Sequence, residues 1–296
     1  MPSDDPYPVR PGSRTRAYLL IGAVATVLVI SGAAVGLARG NKQPDAGADW
    51  VSPAASAPAA APSSAAPPPE AVEPPADLPV ISYEKGPRGL PADPETEWAT
   101  VPTEALRPTV KTALYDAPGG KPRAFLPPRI SGLPVVAPIV ARRDGWAAVL
   151  APSANHRVGW VPESGWQAEP LRDHLLVDLS EHRLTWLREG EEQQSWTVSL
   201  GTEATPTPPG RTFVMGTTGT SGAIFAGLDA LVLGSVPQNP ENLSAGLKGA
   251  HTGIHAWTNR SAFGRSVSNG CVRMPPSAVK KLLAEIDPGT PVLVVA

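Results

Sequence analysis

The most apolar stretch of the chain comes first, because residues 17–38 contain no charged side chain. As a helix at about 1.5 Å per residue, this stretch spans roughly 33 Å, enough to cross a hydrocarbon core of about 30 Å. Arg10, Arg14 and Arg16 precede it, which favours a cytoplasmic N-terminus. The pattern predicts a cytoplasmic tail over 1–16 and a transmembrane signal anchor over 17–38. A cleaved signal peptide, which would release the protein to the cell wall, is the alternative.

The next segment, residues 43–80, is rich in Pro and Ala. Residues 51–80 alone contain 9 Pro and 10 Ala, which leaves few large apolar side chains to bury and interrupts any helix. We predict a disordered, partly polyproline II spacer that reaches on the order of 100 Å at about 3.1 Å per residue. Residues 81–107 show no clear pattern and stay unassigned as a lead-in to the next domain.

Short apolar segments separated by turn residues predict a small β-domain over 108–168. These segments contain the aromatic and aliphatic residues typical of strands and lie at 111–120, 134–150 and 156–166. The spacing fits a short barrel of five or six strands. Trp146, Trp160 and Trp166 are then either core residues or a platform for a ligand.

Residues 172–296 again alternate apolar and polar positions, which predicts a second, mainly β domain of about 125 residues. The predicted strands cover 174–180, 183–189, 193–201, 210–218 and 291–295. One helix is predicted over 277–286, with Ser277 as its N-cap and an apolar stripe that includes Val279 and Leu282. The expected fold is a β-sandwich with a single C-terminal helix.

Composition and charge narrow the function classes. The chain has 37 Pro, a formal net charge of −2 and one Cys. A single Cys excludes an intramolecular disulfide framework and a cysteine-based zinc finger. Without a block of like charge, no nucleic-acid partner is expected.

The single Cys, Cys271, stands in the polar segment SNGCVRM and follows His255 by sixteen residues. An unpaired Cys in an exported protein is either a small buried hydrophobe or a reactive thiol. Its polar neighbours favour a nucleophile, which an imidazole activates by forming a thiolate–imidazolium pair. His251 lies four residues before His255 and either lines the same cleft or forms a helical HxxxH metal pair. No third ligand is evident, so neither a metal nor a cofactor is predicted.

Two motifs, Ile254–His255 and SNGCVR at 268–273, resemble the signature of the L,D-transpeptidases, penicillin-insensitive enzymes that remodel bacterial peptidoglycan. The resemblance extends over 174–296 and includes the bend at 207–213 and the closing segment at 288–292. It implies an L,D-transpeptidase β-sandwich with the catalytic domain over 172–296.

A second resemblance concerns the preceding domain. The segments ALYDAP, DGW and VGWVP, at 113–118, 144–146 and 158–162, resemble bacterial SH3-like domains of cell-envelope proteins. The implied order is a membrane anchor, a spacer, an SH3-like domain and a catalytic domain, which is typical of exported wall enzymes. The expected location is therefore the outer face of the bacterial cytoplasmic membrane.

The first resemblance implies an acyltransferase that uses a Cys nucleophile. Cys271 attacks the carbonyl between the L-centre of diaminopimelate and the terminal D-alanine of a tetrapeptide stem, D-alanine leaves, and a thioester remains. The side-chain amine of a neighbouring diaminopimelate then attacks, which gives a 3→3 cross-link in cell wall organisation and cell shape. Tetrapeptide stems are thus the expected donors and acceptors, and carbapenem-type compounds are the expected inhibitors.

The same resemblance suggests roles around the two central residues. His255 is the general acid/base, and either a backbone carbonyl or Ser268 orients it. Backbone N–H groups at Asn269, Gly270 and Cys271 are the expected oxyanion hole. Arg273 either pairs with a stem-peptide carboxylate or forms a structural salt bridge. The family usually has His where this chain has Asn269, which puts the contribution of that position in doubt.

Two alternatives remain at this point. An L,D-carboxypeptidase would use the same thioester but transfer the acyl group to water. A catalytically weak wall-binding protein would depend on the SH3-like domain instead, although the presence of both Cys271 and His255 argues against it.

Overall fold

The computed structural model describes residues 67–82, 86–94, 101–152, 157–218, 225–237, 239–248 and 250–296. The predicted tail over 1–16, the predicted anchor over 17–38 and the spacer up to residue 66 lie outside this part of the chain. Within the described residues, no helix has both the length and the apolar character needed to cross a membrane.

Antiparallel strands make up the first half of the described chain. They are β1 (Glu104–Pro108), β2 (Thr112–Tyr115), β3 (Pro122–Leu126), β4 (Arg129–Ile130), β5 (Leu133–Pro134), β6 (Ala137–Arg143), β7 (Trp146–Leu150), β8 (Val158–Pro162) and β9 (Trp166–Pro170). Seven of them form one sheet, which we call the N-terminal sheet, in the order β3-β2-β8-β7-β6-β1-β9. β4 and β5 pair separately. The sheet has more strands than the five or six expected, and the SH3-like resemblance stays a prediction.

The segments that precede this sheet also contact it. Ile81 and Leu90 are buried in its core, and the backbone of Phe125 exchanges hydrogen bonds with Pro79 and Ile81, of 2.8 and 2.9 Å. The predicted disordered spacer over 43–80 therefore extends too far, because residues 67–80 lie against the sheet. Composition did not reveal this, since the partners of these residues lie more than forty positions away in sequence.

Strands β10 to β19 form the second half of the chain together with one α-helix. They are β10 (Asp173–Asp178), β11 (Arg183–Arg188), β12 (Glu191–Thr197), β13 (Leu200–Gly201), β14 (Gly210–Thr217), β15 (Leu231–Leu233), β16 (Gly253–Ala256), β17 (Ser266–Ser268), β18 (Val272–Met274) and β19 (Pro291–Val295), with α1 at Pro276–Glu285. Short 3-10 helices lie at Pro240–Asn242, Ala245–Leu247 and Arg260–Ala262. Eight strands form what we call the C-terminal sheet, in the order β12-β11-β10-β19-β14-β15-β16-β18, and β13 pairs with β17.

The prediction of a mainly β fold with one C-terminal helix is confirmed for the described residues. Helix α1 buries Val279 and Leu282 against the C-terminal sheet, as its apolar stripe indicated. Its start was placed one residue too late, because Pro275 is the N-cap and Pro276 the first helical residue. Proline suits that position, since its missing N–H would have no helical partner there.

The two sheets pack directly on each other. All five residues of β7 are buried. Because successive side chains of a strand point to opposite faces of the sheet, both faces of β7 must be covered. One face points into the core of the N-terminal sheet. The other contributes Ala148 and Leu150 to an apolar cluster with Phe213 and Met215 of β14. Residues 67–296 accordingly belong to one compact unit.

A buried ion pair reinforces this contact. The guanidinium of Arg211, on β14, donates to Asp93 through Nε at 2.6 Å and through a second N–H. The side chains are only 6% and 1% exposed. Asp93, which lies in the unassigned lead-in over 81–107, thus links the segment before the N-terminal sheet to the C-terminal sheet.

Candidate active site

Parallel pairing of β16 and β18 brings Cys271 and His255 to one place. The register aligns Ile254 with Val272 and His255 with Arg273. Ile254 and Val272 point into the apolar core, so alternation directs His255 and Arg273 to the opposite face. Cys271 directly precedes β18, and the N–H of Gly253 donates a hydrogen bond to its sulfur. Cys271 therefore lies beside Gly253, two positions before His255 and on the same face of the sheet as His255.

The orientation of His255 follows from its hydrogen bond. Its Nδ1 lies 3.0 Å from the carbonyl oxygen of Ala256, and because a carbonyl only accepts, Nδ1 must hold the proton. Nε2 is then the nitrogen with a free lone pair in the neutral ring, as a general base requires. Of the two orienting groups considered from sequence, the structure shows the backbone carbonyl.

Aromatic rings enclose this imidazole. The Phe225 ring centroid lies 4.4 Å from that of His255, and the Trp257 centroid lies 6.0 Å away. Only 5% of His255 is exposed. Neither aromatic residue was identified from sequence, although Trp257 follows the IH motif by two positions and directly follows β16.

Ser268 organises the loop that carries the thiol. Its hydroxyl donates to the carbonyl of Cys271 at 2.6 Å and accepts from the N–H of Gly270 at 3.2 Å. Gly270 has a φ of +103°, and a Cβ there would lie 3.3 Å from the carbonyl oxygen of Pro206. Ser268 therefore engages the Gly270 N–H within the loop, and the oxyanion hole of Asn269, Gly270 and Cys271 stays a prediction. The side chain of Asn269 is exposed.

Arg273 presents a charge next to the thiol. Its guanidinium carbon lies 3.9 Å from the centroid of Trp257, and Nη1 donates to the carbonyl of Val267 at 3.1 Å. Within the described ranges it has no carboxylate partner, so the alternative of a structural salt bridge is not found. The backbone N–H and carbonyl of Arg273 both form hydrogen bonds with the backbone of Ser199. These bonds hold β18, the last strand of the C-terminal sheet, on its outer side. Arg273 is thus held in place while its charge stays available.

His251 was expected either to line the cleft or to pair with His255 on a metal, and its place in the cleft stays a prediction. It precedes β16, and its Nδ1 donates to the carbonyl of Leu233 at 2.8 Å. Over the ranges that the structure describes, no group of three or more His, Cys, Asp or Glu side chains is arranged to hold a metal ion.

Burial determines the protonation of the pair. It raises the pKa of the Cys271 thiol, and the Gly253 N–H and the charge of Arg273 only partly oppose it. Burial also lowers the pKa of His255 to about 4, with Arg273 acting in the same direction and the Ala256 carbonyl against it. Both directions favour a neutral thiol and a neutral imidazole near pH 7 over the thiolate–imidazolium pair expected from sequence. His255 is buried and Cys271 is partly exposed, and burial disfavours the charged form of each group.

The single Cys makes this protonation state measurable. We expect iodoacetamide to alkylate Cys271 at pH 7 at least about fivefold more slowly than the same residue in the chain unfolded in guanidinium chloride, since only the thiolate reacts. The rate should still be rising at pH 9. Mass spectrometry of the intact chain gives the extent of labelling. A rate that levels off below pH 7 would show a stabilised thiolate and contradict the neutral pair.

A cleft of about 320 Å³ lies at the bend over 201–207, and neither Cys271 nor His255 is among its lining residues. Leu200, Glu203, Pro206 and Ser266 contribute to its lining. The bend that forms one wall is tied to the thiol loop, because Thr202 N–H donates to the carbonyl of Ser268 at 3.1 Å. The cleft combines apolar walls with an acidic side chain, a composition that suits a peptide carrying an amine.

Comparison with known proteins bears on the second half of the chain. Residues 172–294 match the family model for YkuD, described as the L,D-transpeptidase catalytic domain. These residues are an L,D-transpeptidase catalytic domain. The prediction made from the IH and SNGCVR motifs is confirmed over this range, and the catalytic domain comprises β10 to β19 and α1.

Solved structures of L,D-transpeptidases are also similar to the chain. The catalytic domain from E. faecium is 24% identical, with 42% of this chain and 96% of that one covered, at a TM-score of 0.29. An L,D-transpeptidase from Mycobacterium smegmatis is 16% identical, with 66% and 100% covered, at 0.35. One from Mycobacterium tuberculosis H37Rv is 16% identical, with 67% and 97% covered, at 0.37. No curated protein matches the chain.

Proposed function

We propose that this protein is a peptidoglycan L,D-transpeptidase that forms 3→3 cross-links through a thioester on Cys271. The observation that supports the proposal is the pairing of β16 with β18, which brings Cys271 and His255 to one face of the sheet, with the imidazole oriented by the Ala256 carbonyl. Both residues lie within the L,D-transpeptidase catalytic domain. An acyl transfer needs a nucleophile and a base, and Cys271 and His255 are proposed for these two roles.

The first half-reaction transfers the donor stem to the enzyme. The sulfur of Cys271 attacks the carbonyl carbon between diaminopimelate and the terminal D-alanine, and its proton passes to Nε2 of His255. The tetrahedral oxyanion then collapses, the C–N bond breaks, and the proton on Nε2 passes to the departing amine of D-alanine. Because the resting pair is neutral, the thiol loses its proton only as the new C–S bond forms.

The second half-reaction uses the same nitrogen in reverse. The side-chain amine of an acceptor diaminopimelate attacks the thioester carbonyl and gives a proton to Nε2. The C–S bond breaks, an amide remains, and the thiol is restored with that proton. A neutral imidazole with its Nδ1–H held by Ala256 is ready to accept a proton at each attack.

Arg273 is proposed to bind a carboxylate of the stem peptide. Arg273→Lys keeps the charge but loses the planar fork and the stacking on Trp257. We expect KM for the donor tetrapeptide to rise about tenfold, the equivalent of about 1.4 kcal/mol, with kcat little changed. Steady-state release of D-alanine measures both constants. Arg265 is an exposed arginine in the connection between β16 and β18, and Arg265→Lys is the matched control, which should leave KM unaltered. An equal effect of both variants would contradict the assignment.

Product analysis separates the transpeptidase from its alternatives. The chain is incubated with disaccharide-tetrapeptides, and the products are followed by mass spectrometry. Cross-linked dimers that have lost one D-alanine support transpeptidation. Tripeptide monomers alone indicate an L,D-carboxypeptidase, in which water replaces the acceptor amine. An absence of turnover together with retained muropeptide binding indicates a wall-binding protein.

The proposed site of action is the outer face of the bacterial cytoplasmic membrane. Its support is the uncharged stretch over 17–38 with arginines before it, and the Pro/Ala composition that follows. Carbapenem-type compounds are proposed as inhibitors that acylate Cys271. Whole-protein mass spectrometry of membrane and secreted fractions tests anchoring, because a cleaved signal would shorten the chain.

A further inference from the structure

Two buried aromatic side chains of the N-terminal sheet donate hydrogen bonds to the Pro-rich segment that precedes it. Trp146 Nε1 donates to the carbonyl of Pro69 at 3.0 Å. Tyr115 Oη donates to the carbonyl of Val72 at 2.7 Å. The two rings meet edge to face with centroids 5.0 Å apart. Both donors are therefore held rigidly and directed at one short stretch of backbone.

The spacing of the two carbonyls identifies the kind of ligand. Positions 69 and 72 are three residues apart, which is one turn of a polyproline II helix. Such a helix has no internal hydrogen bonds, so carbonyls separated by one turn face the same side and are open to donors. Residues 67–69 are three consecutive prolines, and residues 67–75 belong to neither helix nor strand. The carbonyls of Pro69 and Val72 are therefore spaced so that each can accept a hydrogen bond from one of the two aromatic side chains.

Two glycines complete the surface by admitting the proline rings. A Cβ on Gly119 would lie 2.8 Å from Cβ of Pro69, and one on Gly145 would lie 2.8 Å from Cβ of Pro68. Their φ angles are +64° and +75°, values that glycine adopts readily and other residues do not. A side chain at either position would displace the prolines.

We infer that Tyr115, Trp146, Gly119 and Gly145 form a binding site for polyproline II peptides, occupied here in cis by residues 67–72. We call this surface the proline groove. Aromatic grooves that receive extended Pro-rich segments are a recurring mode of peptide recognition. The inference goes beyond the proposed function and does not depend on it, since the groove uses none of the residues around Cys271.

The chemistry of the flanking residues supports occupation by this segment. Leu78 packs against the cluster that contains Tyr115 and Trp146, and Ile81 continues into the core. The segment is thus held at a second point a few residues after the groove. Burial, with Glu73 nearby, raises the pKa of the Tyr115 phenol, so the hydroxyl stays protonated as a donor. Together these contacts hold the segment against the N-terminal sheet.

The test exchanges the cis segment for a peptide. In the full chain, Pro67, Pro68 and Pro69 are replaced by Ser, and a synthetic PPPEAV peptide is added in trans. We expect the peptide to bind this variant and to shift the indole N–H signal of Trp146 in ¹H–¹⁵N spectra of ¹⁵N-tryptophan-labelled protein. The wild-type chain should show the shifted signal without peptide and should bind none. Trp146→Phe assigns the signal.

Two further variants make the outcome specific. Tyr115→Phe, added to the Ser variant, removes one donor and should weaken peptide binding about fivefold. Pro74→Ser/Pro75→Ser is the matched control and should leave the wild-type signal in place. The inference is overturned if the Ser variant fails to bind the peptide, or if wild type binds it equally well. A wild-type signal that depends on protein concentration would place a second copy in the groove and overturn occupation in cis.

Discussion

Replacing Cys271 by alanine is expected to lower the formation of cross-linked stem peptides by at least about 10³-fold. No other thiol exists in the chain, so no neighbouring group can take over the attack. The measurement is mass-spectrometric detection of the dimer and of released D-alanine over a time course. Carbapenem treatment followed by intact-mass analysis should add the mass of the compound to the wild-type chain alone.

The control for this variant is its fold. Cys271 contacts the N–H of Gly253 through sulfur, a weak hydrogen bond whose loss should shift the melting temperature only slightly. Near-UV circular dichroism and binding of a tetrapeptide stem should therefore be unchanged. Residual turnover near the wild-type rate, or a carbapenem adduct on the alanine variant, would rule out Cys271 as the nucleophile.

Removing Asp93 is expected to have the largest effect on stability. Asp93→Ala removes the carboxylate that pairs with the buried guanidinium of Arg211, and breaking such a pair costs about 3–5 kcal/mol of unfolding free energy. Chemical denaturation with urea measures the difference. Because Asp93 belongs to the segment before the N-terminal sheet and Arg211 to β14, the loss should also loosen the contact between the two sheets.

Two comparisons test this interpretation of the ion pair. Asp93→Leu combined with Arg211→Met removes both charges and should recover most of the lost stability, as apolar replacements of buried pairs do. Glu169→Gln breaks the exposed pair with Arg107, at 2.5 Å, and should cost less than about 1 kcal/mol. If Asp93→Ala were no worse than Glu169→Gln, the buried pair would not stabilise the fold.

Alternation and turn residues predicted the five longest strands of the catalytic domain but not β15 to β18, which include both strands at the candidate site. The terminal strand over 291–295 coincides with β19, and the helix was placed within one residue of α1. The N-terminal sheet was harder, since β1 and β9 extend beyond the expected limits of 108 and 168. The docking of residues 67–80 escaped prediction altogether, because its backbone carbonyls accept hydrogen bonds from Phe125, Tyr115 and Trp146, which are distant in sequence.

The two central residues of the site were identifiable because their types and neighbours are unusual. Cys271 was the only thiol, and the imidazole of His255 stood at a spacing known from a family. What sequence did not reveal is how they are held. The Ala256 carbonyl, the Ser268 hydroxyl and the ring of Phe225 act through backbone geometry or through contacts across the fold. The neutral protonation state also depends on burial, which no local motif specifies.

The parallel pairing of β16 and β18 has a consequence for how this site diversifies. The ladder between the strands sets the separation of thiol and imidazole, whatever the length of the connection that runs through residues 257–271. Insertions near the short helix at Arg260–Ala262 would therefore change the surface around the site without changing the separation of Cys271 and His255. Relatives in which the connection between β16 and β18 is longer or shorter should therefore accept different peptidoglycan strands and yet catalyse the same reaction.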